Sequence, residues 1–69
     1  MTGNETPPPY SLSLIRMEDV THRCAMSRAM VYRLISEGKF PRQVKLSIRA
    51  ARFYEHEIND WIAGRHRAE

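Results

Sequence analysis

The stretch SRAMVYRLISEGKFP, residues 27–41, decides the fold. Ser27 is a good N-cap, because a serine oxygen can accept from a free amide of a helix's first turn. Met30, Val31, Leu34 and Ile35 follow at helical spacing and predict one buried stripe. Gly38 then supplies a left-handed stop, and Pro41 cannot continue a helix. A helix over about residues 27–37 is the reading.

Working outward toward the N-terminus, Glu18 and Asp19 suit a first helical turn, where acids complement the helix dipole. That helix is expected to reach Arg23 or Cys24, with Val20 inward. A short turn through Ala25 and Met26 then leads to Ser27, so the pair forms a helix-turn-helix candidate. Toward the C-terminus the period changes to two. Val44, Leu46 and Ile48 alternate with Lys45, Ser47 and Arg49, and Ala51 and Phe53 with Arg52 and Tyr54. This predicts a β-hairpin with an apolar and a basic face, turning near residues 47–50. A closing helix over about residues 55–63 follows, with Ile58, Trp61 and Ile62 inward and Gly64 as its stop. The fold class expected is mainly α with a small β-hairpin, ordered helix, helix, hairpin, helix in a single small domain.

Residues 1–13, with the Pro7-Pro8-Pro9 run, offer little to bury and are expected to form a disordered arm. The domain is expected over residues 14–64, with Leu14 and Ile15 as a short extended segment over the core. Residues 65–69 are expected to be a flexible tail.

Net charge is +3 over 69 residues, but its distribution says more. Residues 20–54 hold eight basic side chains against Glu37 alone, a net of +7. The segments before and after each carry −2. A basic centre between acidic ends fits a polyanion-binding surface, or an ordinary solvated one if the charges do not share a face.

On the predicted second helix, the arc opposite the stripe holds Arg28, Ala29, Tyr32, Arg33 and Ser36. A helix presenting such an arc can enter the major groove, where base edges carry a distinguishable donor and acceptor pattern. An arginine near its start suits bidentate contact with guanine or phosphate. The residues MSRAMVYRLISEGKFPRQVKL (26–46) and RAARFYEHEINDWI (49–62) together resemble the AlpA-like regulators and excisionases of phages and prophages. The resemblance covers about residues 14–64. It implies a winged, MerR-like helix-turn-helix that binds double-stranded DNA. Its recognition helix would span about residues 27–37 and its wing about 43–54. By the match, Ser27, Arg28, Tyr32 and Arg33 lie on the recognition helix, Lys39 in the connection, and Arg49 and Arg52 in the wing. Three departures stand out. Ala25 occupies a turn position where the family usually has Gly, Ser47 a common Gly position, and Ile48 one that is often polar. Alternation with Val44 and Leu46 favours a core role for Ile48, the alternative being a minor-groove wedge.

Other chemistry finds little footing. Cys24 has no cysteine partner, and His22 with Cys24 falls short of a zinc ligand set. Cys24, Met17, Met26 and Met30 read as packing residues. No nucleophile elbow or phosphate loop is present, and Glu55 and Glu57 are two apart on a helix and diverge. The sequence therefore points away from an enzyme and calls for neither cofactor nor metal. Without a secretory leader or an apolar span, a cytoplasmic, non-membrane protein is expected. Regulator and excisionase remain alternatives, with an integrase or the transcription machinery as partners and a homodimer or tandem assembly on DNA compatible with either. A third reading is a protein-interaction adaptor that does not bind DNA.

Overall fold

The computed structural model describes residues 12–67. The proline run and most of the expected arm, residues 1–11, lie outside the described residues, as do 68–69. The elements are β1 (Leu14–Ile15), α1 (Met17–Cys24), α2 (Arg28–Ser36), β2 (Val44–Ser47), β3 (Ala50–Tyr54) and α3 (Glu55–Ala63). This is a winged helix-turn-helix: three helices, and a hairpin that β1 enlarges to a three-stranded antiparallel sheet ordered β1-β3-β2.

Local chemistry accounts for the element ends. The Arg16 amide donates to Asp19 Oδ2 at 3.2 Å, closing the start of α1. Ala25 ends α1 in the left-handed region (φ 55°), and the next amide, Met26, reaches back to Thr21 O at 3.1 Å. Ser27 caps α2 as expected, its Oγ accepting from the Met30 amide at 3.1 Å. Gly38, at φ 73°, donates to Ile35 O, and Lys39 donates to Leu34 O. This pair of bonds is a Schellman ending.

The core is Ile15, Met17, Val20, Val31, Phe40, Phe53 and Ile58, with Cys24, Met26, Leu34, Ile35 and Trp61 packed around it. Phe40 sits edge-on to both Phe53 (6.0 Å) and Trp61 (4.7 Å). Two clamps bind distant segments. Glu55, at the start of α3, accepts from Ser13 Oγ at 2.6 Å and from Arg23 at 2.7 Å, while Arg23 also reaches Asn59 at 3.1 Å. Trp61 Nε1 donates to Lys39 O at 2.8 Å.

Four apolar expectations are corrected. Met30, assigned to the buried stripe, is 40% exposed, and Ile62 also reaches the surface. Leu46 is 53% and Ile48 94% exposed. The register explains both wing residues. Val44 pairs with Arg52 and Lys45 with Ala51, but Ser47 pairs with Ala50, so Leu46 falls in a bulge. Ile48 and Arg49 form the turn itself. Alternation assigns a strand residue to a face, yet no helix covers the outer half of this hairpin.

Candidate nucleic-acid interface

Three separate segments converge on a polar cleft of about 360 Å³. The start of α1 gives Arg16, Met17 and Glu18. One side of α2 gives Arg28 and Tyr32, and the hairpin with its approach gives Gln43, Arg49, Ala51 and Arg52. Four guanidinium groups thus face one carboxylate in a concave surface. Such a site favours a polyanion, because each arginine carries a fixed charge and a fork of donors matched to phosphate or a guanine edge.

Each side chain is positioned by the fold. Helical spacing places Arg28 and Tyr32 one turn apart, so they share a side of α2. Arg52 pairs across the ladder with Val44, and its Nη1 donates to Ala51 O at 2.9 Å, which orients the guanidinium. Arg49 projects from the turn. Tyr32 remains partly exposed, with its ring at the cleft wall.

Of the sequence-derived residues, Arg28, Tyr32, Arg49 and Arg52 are brought together, and Ser27 is the cap immediately before Arg28. Arg33 and Lys39 are not in the cleft. Arg33 Nε lies 3.2 Å from Glu37 Oε2, and Lys39 Nζ lies 3.7 Å from Glu37 Oε1. One carboxylate therefore partly neutralises two cations at the far end of α2. Both pairs are solvent-exposed, so they hold weakly against a competing polyanion. Sequence reasoning missed Arg16 and Gln43. Arg16 stands beside Glu18 and Asp19 in a net-acidic segment, where a count by blocks conceals it. Its position immediately before a helix start was the available signal.

Of the eight basic residues between positions 20 and 54, Arg28, Arg49 and Arg52 line this cleft. Arg23 instead pairs with Glu55, Arg33 and Lys39 lie near Glu37, and Arg42 lines a separate concavity. A family model described as Prophage CP4-57 regulatory protein (AlpA) matches residues 13–66, from the segment before β1 to just beyond α3. The chain belongs to the AlpA family of prophage regulatory proteins. The match covers both halves of the cleft, the α2 side and the wing side. A protein of Enterobacteria phage P4 described as uncharacterized protein ORF88 is 39% identical over 51 residues. The alignment takes in 74% of this chain and 58% of that relative, so the chain spans little more than half the relative's length. No solved structure matches.

Among the described residues, no group of three or more His, Cys, Asp or Glu side chains could hold a metal ion. Nor is any described helix long and apolar enough to cross a membrane.

Proposed function

We propose that this AlpA-family chain regulates prophage genes by binding duplex DNA, with residues 14–64 as the binding unit. In this reading α2 enters the major groove, and the β2–β3 wing rests on the backbone or the adjacent minor groove. One observation carries it: Arg16, Arg28, Arg49 and Arg52 come from three segments of the chain yet line one cleft. Family membership in a prophage regulatory group supports the same reading. Arg28 and Tyr32 make the groove contact, Arg16, Arg49 and Arg52 clamp phosphates, and Ser27 orders the first turn of α2. Arg33 and Lys39 extend the footprint once the polyanion displaces Glu37. DNA in the bacterial cytoplasm is the target, and no cofactor or reaction is involved.

Fluorescence anisotropy with duplexes from the flanking prophage DNA, at low and moderate salt, tests the proposal. Binding should weaken steeply as salt rises, since each neutralised phosphate adds about 0.9 to the logarithmic slope. Arg49→Ala combined with Arg52→Ala, which removes two phosphate clamps, should reduce that slope by about two. Absence of binding at low salt would sink the reading and bring forward the adaptor, with a protein partner in place of DNA. Excisionase action, which bends DNA for an integrase, would use the same surface. A circular-permutation gel assay separates it from simple regulation by the bend it reports.

A further inference from the structure

The wing tip carries two apolar side chains that the arginine cleft does not use. Leu46 and Ile48 are exposed, flanked by Lys45 and Arg49, and only Arg49 of these four lines the cleft. A second concavity of about 570 Å³ shares no residue with that cleft. It is lined by Val44, Tyr54 and Trp61, with Arg42 and the carboxylates of Glu57 and Asp60. It is a shallow, open and largely apolar surface.

We propose that this groove receives the wing tip of a second copy of the chain. Leu46 and Ile48 enter the Val44–Tyr54–Trp61 surface, while Lys45 meets Glu57 and Asp60. The charges are complementary: the Lys45 cation, which lines no part of the arginine cleft, faces a groove whose two carboxylates outnumber its one guanidinium. A hairpin cannot place its own tip there. Val44, at the base of β2, lines the groove, and Ile48 lies four residues farther along, roughly 13 Å at strand rise. The same chain's tip is thus excluded, and the charge match selects the tip of another copy. The contact is heterologous, leaving each end copy with a free wing or a free groove, so it extends copies in an open row. Copies so joined would bind DNA cooperatively, which matters for a domain with little surface for base contacts. The contact itself does not rest on the DNA reading.

Two variants isolate the halves. Ile48→Asp breaks the wing at a residue with no core contact to lose, and Asp60→Lys breaks the groove on the surface of α3. Far-UV circular dichroism verifies that both fold, with Ile48→Ser as a milder wing variant. Isotope-labelled Ile48→Asp protein, whose groove is intact, is titrated without DNA by unlabelled Asp60→Lys protein, whose wing is intact. Amide signals of Val44, Tyr54 and Glu57 and the Trp61 indole should shift. Adding unlabelled Ile48→Asp protein instead should leave them in place. No shift at concentrations up to about 1 mM, or shifts confined to another surface, overturns the proposal.

A second arm uses random-sequence duplexes of about 10 and about 30 base pairs at low salt, spanning one or several sites. Wild-type protein should bind the longer duplex about tenfold more tightly per copy than the short one, and Asp60→Lys, altered on α3 outside the arginine cleft, should lose that gain relative to its own affinity for the short duplex. An undiminished gain on the long duplex for Asp60→Lys would overturn the proposal. Failure to bind either duplex while the spectral shifts persist would sink the DNA reading and leave the contact standing.

Discussion

The indole Nε1–H of Trp61 donates to the main-chain carbonyl of Lys39 at 2.8 Å, so the last helix holds the segment by which the chain leaves α2 for the wing. The same ring packs edge-on against Phe40 at 4.7 Å, and Arg65 stacks over it at 4.1 Å. One side chain therefore ties α3 to the connection between α2 and the wing without lining the cleft.

Replacing Trp61 should separate those roles. Trp61→Phe keeps most ring packing and loses the hydrogen bond, costing about 1 kcal/mol. Trp61→Ala removes both and should cost about 3 kcal/mol. Urea unfolding curves check this. Equal losses for the two variants would show that the Lys39 bond dominates.

Two left-handed residues make opposite predictions. Ala25 holds φ 55° at the turn between α1 and α2 and bears the strain of a Cβ there. Ala25→Gly should stabilise the protein by about 0.5 kcal/mol, the relief of strain exceeding the added chain entropy. Gly38 holds φ 73°, and a Cβ added there would meet no atom within 4 Å. The expected loss of about 1 kcal/mol in Gly38→Ala is thus purely conformational. Thermal unfolding should move the two midpoints in opposite directions.

Glu37 restrains Arg33 and Lys39, so Glu37→Gln should raise affinity for duplex DNA at low salt by about threefold to tenfold. The salt dependence should steepen at the same time. Anisotropy titrations at two salt concentrations read both effects, and an unchanged affinity would place Arg33 and Lys39 outside the footprint.

Glu55 sets a pH dependence. Its hydrogen bond from Ser13, then the hydrogen bond and positive charge of Arg23, hold its carboxyl below the ordinary glutamate range. A carboxyl depressed in the folded state adds stability that is complete above its unfolded value and fades as pH falls through the folded one. Stability should therefore drop as pH falls through and below the ordinary glutamate range, and Glu55→Gln should flatten that part of the profile. The group is solvent-exposed, so added salt should shrink the difference. Denaturation at a series of pH values tests it.

Much of the architecture was legible in local patterns. Ser27, the stripe through Val31, Leu34 and Ile35, Gly38 and Pro41 set the bounds of α2, because capping and chain termination are decided within a few residues. The turn at residues 48–49 also fell where the two alternating runs met. Cleft membership was legible only in part. Arg28 and Tyr32 follow from helical spacing, whereas Arg16 is brought to them by the packing of α1 against α2 and β3.

The sequence by itself determined the elements, their order, and the family resemblance in the segment from Met26 to Ile62, since these depend on near neighbours along the chain. Tertiary structure alone decided which side chains share a surface. It put Arg16 beside Arg28 and Arg52, drew Arg33 and Lys39 toward Glu37, and left Leu46 and Ile48 in the open. The physical reason is that periodicity gives the direction in which a side chain points, while burial and charge pairing depend on what the rest of the chain places opposite it.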